Sequence, residues 1–444
     1  MRRAWWVVLG AIVVVAAVLR LEGIGAHLSD AEGYSYLVGS APSASAFLRR
    51  LAAYENTPPL FYLLLTPLPL GHTAWLRAPA ALPGALIPLA LFAALRRPLG
   101  VRPALLAAAI AAVAPFAVSY SDYARGFMLE GLGCIVALWA MLRLGDGASR
   151  RWWLLYLGGA VLALYAEYDA IVFVAALTVA ALAWGGRSRL ETGAIGLLPI
   201  VALVPWVGQF ERAQDALNHT KVAPTFPGFS VSSLRDVTDR LVLGEHGTGA
   251  GAGARWLEFA ALLAILVAVA VVLRRARANR AVRVIATTAA LTAAGHALAP
   301  SFGTEVFNER YLTVLIPLGA ALVAAAVEHT GARRRWRAAA ALVLLVAVAV
   351  FVQRNGREYE PDLAPVRTAV TALHPRTVLT NSAVVAYYLR RLPVTVDKPF
   401  GLGPGREPEC ASPCVIVDDS RVPGGARAGP GPARLIGPFV VRLR

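Results

Sequence analysis

The stretch MRRAWWVVLGAIVVVAAVLRL, Met1 to Leu21, decides how the whole chain is read. Arg2 and Arg3 precede an apolar run from Trp5 to Leu21 that is interrupted only by Arg20. No small-residue cleavage motif follows. The run therefore reads as an uncleaved first membrane helix with its basic end inside.

The same pattern recurs along the chain. Of its 444 residues, 57% are hydrophobic and 16% charged. A soluble chain of this length needs more polar surface, and the excess lies in runs near the length that crosses a bilayer. Eleven runs are candidate spans: Ala4–Leu21, Ala74–Leu95, Pro103–Val118, Phe127–Leu144, Trp152–Tyr165, Ala170–Trp184, Ile195–Val207, Trp256–Leu273, Val282–Leu298, Tyr311–Val327 and Ala338–Phe351. Pro58–Leu70 is also apolar, but Pro58, Pro59, Pro67 and Pro69 mark an interfacial helix rather than a span.

The loops test this assignment. With Arg2 and Arg3 inside, the remaining inside loops carry Arg96, Arg97 and Arg102, then Arg143, Arg150 and Arg151, then Arg187 and Arg189. The Arg274–Arg283 and Arg333–Arg337 clusters continue the series. Outside loops are mixed in sign and hold nearly all other carboxylates, a positive-inside pattern. A twelfth span at Pro58–Leu70 would invert every later loop. The formal net charge of +16 is thus a topological signal, and no nucleic-acid partner is expected. Lys221 and Lys398 are the only lysines. The Arg- and Ala-rich composition points to a GC-rich bacterial genome, so the expected location is a bacterial plasma membrane. The N-terminus is then cytoplasmic and the C-terminus extracytoplasmic.

Two organisational units are expected: a membrane module, 1–352, and a C-terminal segment, 353–444. The second alternates helix-like pieces (Asp362–Leu373, Ser382–Arg391) with strand-like pieces (Thr377–Leu379, Val394–Val396, Cys414–Asp418, Phe439–Arg442), the pattern of a small extracytoplasmic α/β segment. Two further features are expected outside: a short interfacial helix at Val231–Leu243 and a flexible Gly-rich stretch at Gly244–Gly253. Cys134 lies in an apolar run as packing, and Cys410 and Cys414 are spaced for a short disulfide outside the cytoplasm. They lack the second Cys or His pair that a metal site needs.

Chemistry-bearing residues converge on the outer face. Asp30 and Glu32, in Leu28–Tyr36, follow the first span, and a half-buried carboxylate there suits a general base. The plainer reading is a solvated loop with Ser29 or Asp30 capping a helix. Glu55, Asn56 and Tyr62 lie in the Pro-Pro segment and Tyr34 in the acidic one. Asp122, Tyr123 and Arg125 sit between the third and fourth spans, and Arg310 opens the tenth. An arginine at headgroup depth can take a phosphate bidentately, or pair with Asp122 or Glu130, or snorkel. Glu130 falls inside an apolar run, where an ionisable group faces a cavity or a partner. Glu167, Tyr168 and Asp169 form another polar apex, and His296 lies late in the ninth span.

These residues resemble the GT-C membrane glycosyltransferases, in particular the glycosyltransferase family 39 group of protein mannosyltransferases and bacterial relatives. Asp30-Ala-Glu32 is similar to the group's acidic first-loop motif. Pro58-Pro59-Leu60-Phe61-Tyr62 resembles its Pro-Pro-aromatic segment, and Arg77-Ala-Pro-Ala80 its R-x-P-S second span. Ala114-Pro-Phe116, Tyr120 through Leu129, and Arg310-Tyr311 complete the order. Tyr123 stands where the group often has Glu, and Gly126 where it often has Pro.

The resemblance implies a GT-C-like α-helical bundle and an inverting transfer of mannose, or another hexose or pentose. The donor would be a polyprenyl phosphate carrying the sugar. Asp30 or Glu32 would be the base, and Arg125 and Arg310 would hold the donor phosphate. Tyr34, Glu55, Asn56, Tyr62, Asp122, Tyr123 and Asp169 would line the substrate. The partners are the lipid-linked donor, membrane lipids and a glycan, lipid or protein acceptor. No cofactor is required; a divalent metal is compatible, but no D-x-D motif signals one. The alternatives are a lipid or solute transporter or flippase, which inverted repeats and broken central helices would favour, and a non-catalytic scaffold.

Overall fold

The computed structural model describes residues 4–186, 188–209, 211, 270, 274, 279–298, 309–328, 363–396, 414–419, 433–436 and 439–443. They divide into two compact units. One comprises Met1–Ile24, Arg77–Pro205 and Phe226–Glu358; the other comprises Gly25–Leu76, Trp206–Thr225 and Tyr359–Arg444. The expected spans Trp256–Leu273 and Ala338–Phe351, the helix Val231–Leu243, the Gly-rich stretch and Cys410 lie outside the described residues.

The first unit is helical. Its elements are α1 (Ala4–Leu21), most of α5 (Thr73–Leu95), α6 (Val101–Val113), α7 (Pro115–Ser121), α8 (Phe127–Gly145), α9 (Trp152–Ala166), α10 (Ala170–Trp184) and α11 (Arg189–Val201). The helices Arg280–Leu298 and Leu315–Glu328 complete it. Five described helices are long and apolar enough to cross a membrane, and three shorter ones are as apolar. The protein is a multi-pass membrane protein. Its core runs through Leu91, Phe92, Phe116, Met128, Leu138, Tyr156, Phe173 and Leu318. Small residues let the helices approach. At Gly133 in α8 a side-chain carbon would lie 2.6 Å from the Gly159 carbonyl of α9, so only glycine fits there.

The expected span Pro103–Val118 is broken. It forms α6 and α7, bent by 55°. Proline is the cause. It disfavours helix at the preceding residue, and Ala114 duly leaves it (φ −57°, ψ 120°). Pro115 also has no N–H for the carbonyl one turn back, Ala111. A buried Arg20 meets this need: Nη2 donates to Ala111 O (3.4 Å), Nη1 to Ala112 O (2.8 Å) and Ala16 O (2.9 Å), and Nε to Ser121 Oγ (3.0 Å). One guanidinium thereby ties α1 to both halves of the break.

Charged contacts mark the two ends of the helix Arg280–Leu298. At its start, Arg280 Nη2 meets Asp146 Oδ1 at 2.6 Å and Leu142 O at 3.0 Å. Nearby loop termini carry Arg150–Glu191, at 3.3 Å. At its other end His296 Nε2 lies 3.6 Å from Asp169 Oδ2. Sixteen residues of helix separate these ends by about 24 Å, near the thickness of a hydrocarbon core.

The second unit is α/β. The outer segment from 22 to 73 contains α2 (Asp30–Gly39), α3 (Ala44–Tyr54) and α4 (Leu60–Leu65), the last within the interfacial helix expected at Pro58–Leu70. Helices Ala364–Ala372 and Ala383–Tyr388 alternate with β1 (Thr377–Thr380) and β2 (Val394–Val396), followed by β3 (Cys414–Asp419), β4 (Ala433–Ile436) and β5 (Phe439–Leu443). They form one sheet of order β2-β1-β3-β5-β4; β1 is parallel to both neighbours, and the β5 pairings are antiparallel. β4 (Ala433–Ile436) is missing from the strands expected on sequence grounds: its Ala-Arg-Leu-Ile run holds a single β-branched residue and no aromatic one.

The carbonyls at the break predict a coupled pair of variants. Arg20→Leu should lower stability by about 1–3 kcal/mol, the cost of leaving buried carbonyls unbonded. Pro115→Ala restores one N–H, so the same Arg20 substitution should cost measurably less in that background. Thermal unfolding of the four proteins in detergent reads the difference.

Candidate functional site

In the second unit, Asp30 and Glu32 share α2 but are held differently. Ser29 is the N-cap: its hydroxyl accepts from Glu32 N (3.4 Å), and Glu32 Oε2 accepts from Ser29 N (2.9 Å) and Ser29 Oγ (3.1 Å). This reciprocal capping box seals Glu32, which is 1% exposed. Asp30 is half-buried. Its Oδ1 accepts from Ser382 Oγ (2.6 Å) and Val384 N (3.2 Å). The capping expected at Ser29 is therefore present, and Asp30 is held by the C-terminal segment.

The other expected residues of this unit spread along it. Tyr34 stacks on Tyr54, with ring centroids 5.9 Å apart. Glu55 is buried at the end of α3, and its carbonyl takes Gln209 Nε2 at 3.4 Å. Asn56 is partly exposed beside it. Tyr62 is buried with its hydroxyl 2.8 Å from Thr57 Oγ1, so it braces the Pro-Pro turn. Burial pushes the Tyr54 phenol above its usual range, against a smaller downward pull from Arg50.

In the first unit, the turn after α7 carries Asp122, Tyr123 and Arg125. Asp122 closes α7 through its N–H to Ser119 O (3.1 Å) and lies in electrostatic range of Arg20. A tight turn with Arg125 N on Tyr123 O (2.7 Å) follows. Phe116, Tyr120, Tyr123 and Phe127 frame it, their ring centroids 4.4 to 6.5 Å apart along the chain of contacts. Gly126 replaces the proline common in the resembling group because any Cβ would crowd the Ala166 carbonyl, 2.5 Å away, and Glu167 Oε1, 2.9 Å away.

Arg310 reaches the same aromatic group. It sits in a short 3₁₀ turn, Glu309–Leu312, that precedes the helix expected from Tyr311. Tyr120, Tyr123, Tyr311 and Arg125 are its electrostatic neighbours, and its guanidinium lies 5.4 Å from the centre of the Tyr311 ring. Two guanidinium groups held near one another among phenols favour an anion between them.

A carboxylate group adjoins this region. Glu130 is fully buried with Asp169 and Glu167 as its electrostatic neighbours. His296, beside Asp169, stacks on Tyr311 at 6.4 Å, and Tyr311 is in range of Asp169, Glu167, Arg310 and Arg125. Burial, with Glu167, pushes the Tyr168 phenol above its usual range and keeps it neutral. Among the described residues no three His, Cys, Asp or Glu side chains are grouped so as to hold a metal. Sequence reading gave no role to Arg20 or Ser382. Arg20 carried a signal, a lone charge in an apolar run; Ser382 carried none.

A helical membrane bundle joined to a small α/β segment is the GT-C architecture, and the protein has this fold. Residues 56–208 match the family described as dolichyl-phosphate-mannose-protein mannosyltransferase. No curated protein matches the chain in sequence. The structure is similar to that of ArnT from Cupriavidus metallidurans in the apo state, with TM-score 0.67 and 15% identity over 100% of this chain and 98% of that one. ArnT bound to undecaprenyl phosphate gives TM-score 0.59 at 15% identity with the same coverage. The oligosaccharyltransferase AglB from Archaeoglobus fulgidus, complexed with an inhibitory peptide and a dolichol-phosphate, gives 0.55 at 11% identity, over 88% of this chain and 64% of that one.

The capping box makes one prediction. Ser29→Ala should cost about 1 kcal/mol and fray α2. Glu32→Gln, whose amide oxygen still accepts, should cost much less. Hydrogen exchange over residues 30–39 compares them.

Proposed function

We propose that this protein transfers a sugar from a polyprenyl-phosphate donor to an acceptor hydroxyl on the outer face of the membrane. The observation that carries the reading is the pairing of Arg125 with Arg310 among Tyr120, Tyr123 and Tyr311. That arrangement suits a lipid phosphate. The polyprenyl phosphates named for the ArnT and AglB structures, and the donor in the matched family's description, support the same class.

The chemistry balances without further groups. The acceptor oxygen attacks the anomeric carbon and loses its proton to a carboxylate. The carbon–oxygen bond to phosphate breaks on the opposite side, and its electron pair leaves with the polyprenyl phosphate, so the configuration inverts. Arg125 and Arg310 stabilise the departing charge, the usual electrostatic task in such a step. Asp30 is the preferred base because Glu32 is sealed in its capping box. Tyr34, Glu55, Asn56, Tyr62, Asp122, Tyr123 and Asp169 are the proposed substrate-site residues, with the N-terminus inside and the C-terminus outside. Mannose is the sugar to try first, on the matched family's description.

A donor screen tests this reading, with released polyprenyl phosphate and glycosylated product followed by mass spectrometry, with and without chelator. Asp30→Asn should lower kcat about 10²–10⁴-fold. Glu32→Gln, which keeps its cap, should stay within about threefold. Arg125→Gln and Arg310→Gln should each cost about 10²–10³-fold. Lipid movement with no polyprenyl phosphate released from any donor would instead favour a flippase.

A further inference from the structure

We infer that Ser382, in the C-terminal segment, is a positioning residue that aims the Asp30 carboxylate. This rests on the reading of Asp30 as the base. The case begins with a hydroxyl used against local expectation. Ser382 is the N-cap of helix Ala383–Tyr388, where serine ordinarily accepts a backbone N–H of its own helix. It makes no such bond. Fully buried, it donates to Asp30 Oδ1 at 2.6 Å, and Val384 N, in the first turn of the helix, donates to the same oxygen at 3.2 Å. A residue 352 positions away thus supplies the capping oxygen, and two donors converge on one carboxylate oxygen.

The supports are rigid. Ser382 N donates to Thr380 Oγ1 (3.0 Å), and that hydroxyl donates back to Ser382 O (3.3 Å), closing the turn that leaves β1. β1 is flanked by strands on both sides, in a sheet remote in sequence from Asp30. Helix Ala383–Tyr388 lies directly against α2: a Cβ at Gly33 would stand 2.7 Å from the Ala383 carbonyl. Tyr388 Oη accepts from Leu28 N at 3.3 Å and lies 3.1 Å from His27 Nδ1, while Tyr387 Oη donates to Gly71 O at 3.1 Å. The start of α2 is therefore clamped on both sides of Asp30. With one oxygen fixed by two donors, the direction of the other is fixed as well. Orientation of this kind governs reaction more than binding.

The test uses full-length protein in nanodiscs with undecaprenyl-phosphate mannose as donor. Ser382→Ala should lower kcat about 10- to 100-fold and leave the donor KM within about twofold. Ser382→Thr, which keeps the hydroxyl, should recover kcat to within about threefold. Ser43→Ala removes a comparable N-cap from α3 and should leave kcat near wild type. A second measurement needs no turnover: Asp30→Ala should speed hydrogen exchange in the first turn of 383–388. Unchanged exchange there, or a Ser382→Ala kcat equal to wild type while Asp30→Asn is inactive, would overturn the inference. Full activity of Asp30→Asn would instead overturn the base assignment itself, with the exchange result still reporting on the contact.

Discussion

Inside a bilayer no water is at hand to satisfy a backbone carbonyl, and the break between α6 and α7 is a place where the chain breaks that rule and repairs it. Pro115 deprives Ala111 of its donor and turns the helix by 55°. Arg20 reaches across from α1 and bonds the exposed carbonyls. Gly84 keeps space for that guanidinium, since a Cβ there would lie 3.0 Å from Arg20 Nε. The bend sets where α7 ends and therefore where the Asp122–Arg125 turn begins. A structural arginine thus bears on where Arg125 sits.

The buried carboxylates described in this unit, Glu130 and Glu167, lie at helix ends, where burying a charge costs less than mid-helix. One end of helix Arg280–Leu298 is closed by a surface ion pair between Arg280 and Asp146, worth little by itself. The other gathers Glu130, Glu167, Asp169, His296, Tyr311 and two arginines. Such a density of ionisable groups at membrane depth is a hallmark of function rather than of stability. It also explains the tyrosines: a phenol beside a guanidinium offers a ring face and a hydroxyl without adding charge.

The α/β unit shows how a small appendage becomes more than a cover. Its sheet is short, and one cluster in it joins Ala383, Ala386 and Val396 to Val394, Tyr34, Leu37 and Tyr54, which pack against them. Three of its seven residues come from 34–54, so the two segments share this cluster. The acidic helix and the C-terminal segment order one another, and the carboxylate most exposed to solvent in α2 is the one they share.

Sequence by itself determined the membrane architecture, because bilayer thickness and backbone polarity act through local composition: α1 and α10 match the apolar runs to the residue, and the strands Thr377–Thr380 and Val394–Val396 follow from local alternation. It also marked Asp30, Arg125, Glu130, Asp169 and Arg310 as unusual, since a charge beside an apolar run needs a reason. It left open which of Asp30 and Glu32 is the base, named no helix at 44–54, and gave Ser382 no weight. Only the tertiary structure separated these. A capping box removes Glu32 from solvent, a remote hydroxyl holds Asp30, and a proline break brings Arg20 to Ala111. The box is local, three residues long, but the other two depend on hydrogen bonds between residues 91 to 352 positions apart, whose geometry no periodicity records.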